Sequence, residues 1–202
     1  MTKIFLKRGK EDSLGRFHPW IFSGAINYMD HEPEEGEVVE VYTHEKAYIA
    51  TGHYQIGSIM VRVLSFDNEC IDTDFYRKKI RIAYDVRKSI GVAENPNNNT
   101  YRLIHGEGDN LPGLVVDIYG KTAVMQAHSV GMHCDRNIIA EAMKDELDNN
   151  PYPGKKIDFI CQEMNREINT IGSKNQFAEV GAMVIKAKDS LENIREQSKN
   201  IA

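Results

Sequence analysis

No apolar run in these 202 residues approaches the roughly 20 needed to cross a bilayer as a helix, so no helical membrane span is expected. The amino terminus, MTKIFLKRGK, lacks an apolar core followed by a cleavage site, and a secretory leader is not expected either. Cysteine is scarce. Cys70, Cys134 and Cys161 are odd in number and share no metal-ligand spacing. That pattern excludes a disulfide framework and a sequence-local metal site, and it reads as reduced thiols in a cytoplasmic protein. Surplus positive charge is also missing: 25 Lys+Arg stand against 30 Asp+Glu, a net charge of −5. Such a balance argues against general binding to nucleic acid. A dinucleotide fingerprint is absent too. The glycine-rich loop at residues 106–113 leads into strand-like sequence, whereas phosphate needs a helix N-terminus to receive it.

What is present is ordinary globular composition, 41% apolar and 27% charged, in a length that suits one large or two small domains. The chain is organised around Tyr101–Gly120. Two β-prone runs, Tyr101–Ile104 and Leu114–Tyr119, flank a turn-rich stretch from His105 to Gly113. A further turn at residues 119–121 feeds Thr122–Ala127, so a three-stranded meander is expected. Gly108 is read as a left-handed turn residue. Glu107 and Asp109 have two readings, as metal ligands or an acid–base pair, or as acceptors for backbone donors in a strained turn.

Earlier in the chain, residues 3–8 read as a first strand, and Trp20, Ile21 and Phe22 as core. Short runs at Val38–Thr43, Ala47–His53 and Ile59–Leu64, with turns between them, suggest a small β-barrel. Asp72 or Thr73 is placed to cap a helix from about Asp74 to Ile90, stopped by Gly91. Its apolar stripe is Tyr76, Ile80, Ala83, Val86 and Ile90, helped by Phe75 and Ile82. Arg77, Lys78, Arg81 and Lys88 occupy the other side. Charge is uneven. Residues 1–30 hold five basic and three acidic side chains, residues 76–90 six and one, and residues 31–75 ten acidic with only Lys46 and Arg62. An acidic molecule can therefore present a basic face, and Lys7, Arg8, Arg16, His18, Arg77, Arg81 and Lys88 are the candidate phosphate contacts.

Ser129 or Asp135 can cap a helix reaching about Leu147, with Ile139, Met143 and Leu147 at helical spacing. His133-Cys134-Asp135 imitates a catalytic triad only on paper, because neighbours on a helix point apart. Residues 149–156 read as a turn and residues 156–161 as a short strand. The remainder, 161–202, is polar and helix-leaning, at Gln162–Ile168 and Val184–Ser198, with six basic and six acidic residues.

Two segments carry a resemblance. Arg102 through Asp117, read as Arg-Leu-x-x-x-Glu-x-Asp-x-Leu-Pro-Gly-Leu-x-Val-Asp, is similar to the central-domain signature of bacterial large-subunit ribosomal RNA cytosine methyltransferases. Arg16 to Phe22, Arg-x-His-Pro-Trp-x-Phe, resembles the PUA segment of the same family. The resemblance implies an α+β chain. A PUA-like RNA-binding barrel would occupy residues 1–72 and a small strand–strand–helix–strand–strand domain residues 73–160, with 161–202 unassigned. Arg102, Glu107, Gly108, Asp109 and Gly113 would then be either a structural loop or residues near the substrate. It further implies ribosomal RNA as partner. S-adenosylmethionine belongs to the family's Rossmann domain, and the match fades beyond about Cys161, before that domain would begin. The chain is thus expected to bind RNA but to lack a catalytic residue, a bound cofactor or a metal of its own. It is read as a truncated, frameshifted or naturally short relative. The rivals are a stand-alone RNA-binding adaptor and a small-molecule or metal-dependent enzyme built on the Gly-Glu-Gly-Asp loop; homodimerisation stays open.

Overall fold

The computed structural model describes residues 1–148, 181 and 183–190. Nine strands and three helices make up its two units, in an α+β arrangement. The first is a curled six-stranded sheet in the order β2-β6-β5-β4-β1-β3. Its strands are β1 (Lys3–Leu6), β2 (Trp20–Phe22), β3 (Ile26–Met29), β4 (Val38–Tyr42), β5 (Tyr48–Tyr54) and β6 (Ile59–Ser65). All neighbours are antiparallel except β1 and β4, where Ile4 pairs with Val41 in parallel. Alternation along β4 puts Val39 and Val41 inside, as the period of two requires. They join Ile4, Leu6, Leu14, Ile21, Ala50, Val61 and Val63 in one core.

A polar clamp closes this unit at its start. The buried Thr2 hydroxyl donates to Glu37 Oε1 at 2.6 Å, and the Thr2 amide reaches the same oxygen at 3.3 Å. The Thr2 hydroxyl, with the Glu34 and Thr2 amides, holds the Glu37 carboxyl below its ordinary range despite partial burial. A depressed carboxylate pKa adds stability that is complete above the unfolded-state value and is lost as pH falls through the folded one. Glu37→Gln is therefore expected to unfold at lower urea than the parent near pH 7, with the difference closing below about pH 4. A gap of equal size at both pH values would remove the carboxylate from the account.

The second unit begins with α1 (Thr73–Ser89), whose N-cap Asp72 accepts from the Phe75 amide at 2.9 Å. Strands β7 (Thr100–His105), β8 (Leu114–Tyr119) and β9 (Thr122–Ala127) follow as the expected meander, in the order β7-β8-β9. Helix α2 (Val130–Cys134), capped by Ser129, and α3 (Arg136–Asp148) complete it. Phe75, Tyr76, Ile80 and Ala83 of α1 pack with Leu103, Leu114, Val116, Ile139 and Met143 in a second core.

Several expectations need correction. The α1 stripe is rotated: Tyr84 is buried, while Ile82, Val86 and Ile90 are exposed. On β2 only Ile21 faces the core, and Phe22 is 47% exposed. Gly108 does not have a positive φ; the left-handed positions of the loop are Gly106, Asn110 and Gly113. The chain turns through a 3-10 segment over Gly106–Asp109, which leaves Gly108 in ordinary helical space. Residues 183–190 are helical, overlapping the start of the expected Val184–Ser198 stretch. The turn at 149–156, the strand at 156–161 and the helix-leaning 162–168 lie outside the described residues.

Candidate nucleic-acid interface

The sequence Arg16-Phe17-His18-Pro19-Trp20-Ile21-Phe22 builds an aromatic, basic surface at one edge of the six-stranded sheet. Because β2 is an edge strand with Ile21 turned inward, His18, Trp20 and Phe22 share the outward face. Their rings touch. His18 and Trp20 centroids lie 5.9 Å apart, and Trp20 and Phe22 lie 6.4 Å apart with planes at 90°. Phe17 is 72% exposed and held at φ 60°, a left-handed conformation that a bulky side chain rarely takes. Such strain is retained where the surroundings impose it and is frequent at recognition sites. Lys7 donates to the Gly24 carbonyl at 3.0 Å. Among the described residues, Arg8, Lys10 and Arg16 form no ion pair. Lys10, Ser13, Leu14, Trp20, Ile21, Phe22, Gly24 and Ala25 line a cleft of about 300 Å³.

The cations of α1 are placed differently. Arg77 pairs with Asp74 and, at 2.6 Å, with Asp145 of α3; Arg81 meets Glu146 at 2.5 Å. Lys78 lies 3.5 Å from Glu69, and Lys88 lies 2.9 Å from Glu94. Being partly open to solvent, these pairs add little to stability. Together, though, the carboxylates neutralise the face that composition made basic. These acidic partners come from elsewhere in the chain, which is why a count over residues 76–90 missed them.

The Gly-Glu-Gly-Asp loop is a junction. Asp109 Oδ2 accepts the His105 amide at 2.6 Å and Arg87 Nη2 at 2.7 Å, while Arg87 Nη1 reaches Oδ1. Arg87 also donates Nε to the Arg102 carbonyl at 3.1 Å, so one α1 side chain holds both ends of the turn. Both partners are largely buried, at 14% and 10% exposure. Glu107 accepts from Trp20 Nε1 at 3.1 Å, which ties this loop to the aromatic face of the other unit. Arg102 and Asp117, opposite each other on β7 and β8, form a two-pronged pair at 2.8 and 3.0 Å. A Cβ at Gly113 (φ 86°) would lie 2.6 Å from Ser129 Oγ, the cap of α2. Arg102, Glu107 and Asp109 thus each have a structural partner. Among the described residues no three His, Cys, Asp or Glu side chains are placed to hold a metal ion.

A second junction escaped sequence reasoning. Wholly buried His53 of β5 meets Asp135 Oδ2 at 3.0 Å through Nε2, and the same oxygen accepts the Tyr76 hydroxyl at 2.6 Å. Burial, reinforced by the Asp135 charge, pushes the Tyr76 phenol far above its usual range. Asp135 acts with residues 82 and 59 positions away rather than with adjacent His133 and Cys134.

Residues 4–66 match the family described as PUA-like domain, and residues 133–202 match the family described as Endoribonuclease YicC-like, C-terminal. The latter match begins near the end of α2, takes in α3 and runs on beyond residue 148. Ribosomal RNA large subunit methyltransferase I of Klebsiella pneumoniae is 37% identical over 145 residues, covering 71% of this chain and 36% of that protein. The protein of the same name from Aliivibrio fischeri is 39% identical over 144 residues, covering 70% and 36%. The chain therefore spans little more than a third of the length of these relatives. Among solved structures, a provisionally assigned SAM-dependent methyltransferase from Streptococcus mutans superimposes with a TM-score of 0.64. It is 20% identical, and the overlap covers 74% of this chain and 39% of that one.

Proposed function

We propose that this chain, homologous to the N-terminal part of ribosomal RNA large subunit methyltransferase I, is an RNA-recognition portion of a cytosine-C5 methyltransferase and binds ribosomal RNA. The observation that carries this reading is the surface formed by the exposed Phe17, His18 and Phe22 and the half-buried Trp20, with the exposed cations Lys7, Arg8, Lys10 and Arg16. Aromatic faces beside unpaired cations suit a polyanion that displays planar bases. Arg77, Arg81 and Lys88 are assigned to helix packing and local ion pairs, with the loop residues Arg102, Glu107, Gly108, Asp109 and Gly113 as the scaffold beside the surface.

Affinity for a structured ribosomal RNA measured across a salt series tests the assignment. Each of Lys7→Ala, Arg8→Ala and Arg16→Ala is expected to lower the salt slope by about one. Arg77→Ala/Arg81→Ala is expected to leave it unchanged; a shallower slope there would return α1 to the surface.

Methyl transfer to cytosine C5 needs a thiolate to add to the ring, a base to take the ring proton and a pocket for the sulfonium donor. Among the described residues the sheets hold no strand, glycine turn and helix of the Rossmann kind. The purified chain is therefore expected to transfer no label from S-adenosylmethionine to unmodified ribosomal RNA. Incorporation that disappears in a cysteine variant would overturn this. The endoribonuclease-like match over residues 133–202 favours a second reading, in which the chain cuts the RNA it binds. The same incubation, run on a denaturing gel, separates the two: shortened RNA supports cleavage, intact RNA opposes it.

A further inference from the structure

We propose that the cleft between Lys10 and the Trp20–Phe22 face receives one unpaired nucleobase of an RNA strand, with a neighbouring phosphate on Lys10. The inference deepens the RNA-binding reading and rests on it. Leu14, Trp20, Ile21, Phe22 and Ala25 give the cleft an apolar wall, and Lys10 and Ser13 supply its polar groups. At about 300 Å³ it is at the small end of ligand sites, which run from ~300 to ~1,000 Å³. Trp20 and Phe22 meet at a right angle. A planar base that stacks on one ring therefore places its edge against the other, an arrangement a flexible aliphatic or acidic peptide side chain does not exploit. The indole N–H is already given to Glu107, so the Trp20 edge is held in place. Phe22, 47% exposed on an edge strand, contributes little to the core and is free to serve as a stacking surface. A paired base offers no open face to such a corner, so the site selects loops, bulges and ends over continuous duplex.

Trp20 is the chain's single tryptophan, which makes its emission a reporter of this cleft. The full chain is titrated with three oligoribonucleotides: a hairpin with an unpaired loop, the same hairpin with abasic loop positions, and a blunt duplex. The intact hairpin is expected to quench Trp20 and to bind at least about tenfold more tightly than the other two. Phe22→Ala, which keeps the fluorophore and removes an exposed ring, is expected to bring the hairpin down to the affinity of its abasic form. Lys10→Ala is expected to weaken all three alike. Equal affinity of the parent and Phe22→Ala for all three, with Trp20 emission unchanged, would overturn the base site and leave RNA binding standing. No binding of any oligonucleotide at low salt would overturn both.

Discussion

Arg87→Ala is expected to destabilise the second unit by about 3 kcal/mol, the low end of what breaking a buried ion pair costs. The reason is what remains behind. Without the guanidinium, the Asp109 carboxylate keeps only the His105 amide in a site that is 10% exposed, and the Arg102 carbonyl loses its donor. Lysine at position 87 would retain charge but not the two-pronged contact, so Arg87→Lys should fall between alanine and the parent. Asp109→Asn preserves an acceptor for the His105 amide while removing the charge, and should also destabilise. Urea denaturation followed by far-UV circular dichroism measures all three. Parent-like stability in Arg87→Ala would mean that the loop holds its shape without α1, and the loop carboxylates would again be candidates for chemistry.

Gly131→Ala should separate the two units. Alanine is the better helix former by about 1 kcal/mol, so local propensity alone predicts a more stable protein. Packing opposes it. A Cβ at position 131 would sit 2.1 Å from Cγ and 2.3 Å from Nδ1 of His53. That ring cannot swing aside, because it is buried and bonded to Asp135. Overpacking a dense site costs about 1–3 kcal/mol or more, and here the obstacle is a fixed ring, so a net loss of about 2 kcal/mol is expected. The loss should come with faster proteolytic cleavage in the 67–72 connection, since the His53–Asp135–Tyr76 junction is what joins the β5 sheet to α1 and α2. Increased stability with unchanged cleavage would show that α2 moves freely on the sheet.

Much of the architecture was legible from local pattern. The meander over residues 100–127 follows from β-branched runs separated by obligatory turns. The start and stop of α1 follow from Asp72 and Gly91, because capping is decided by a few neighbouring atoms. Alternation alone placed Val39 and Val41 on one buried face. Pattern failed where two surfaces compete. Trp20, Ile21 and Phe22 are equally apolar, yet only Ile21 is core, because β2 is an edge strand with a single covered face. Spacing marked Val86 and Ile90 for burial, but the helices and strands packed against α1 cover Tyr84 instead.

The sequence by itself determined that this is an α+β chain with short strands, a capped α1 and an aromatic, basic segment near its start, because those properties depend on neighbours within a few residues. Only the tertiary structure decided which charges remain available. Arg77 and Arg81 read as a basic face until α3 brought Asp145 and Glu146 against them, and Arg87 became the clamp of a loop 22 residues away. Asp135 found its partners on β5 and α1 rather than beside it in the chain. Coulombic and hydrogen-bond pairing act over a few ångströms of space, and folding, not sequence distance, sets which groups come that close.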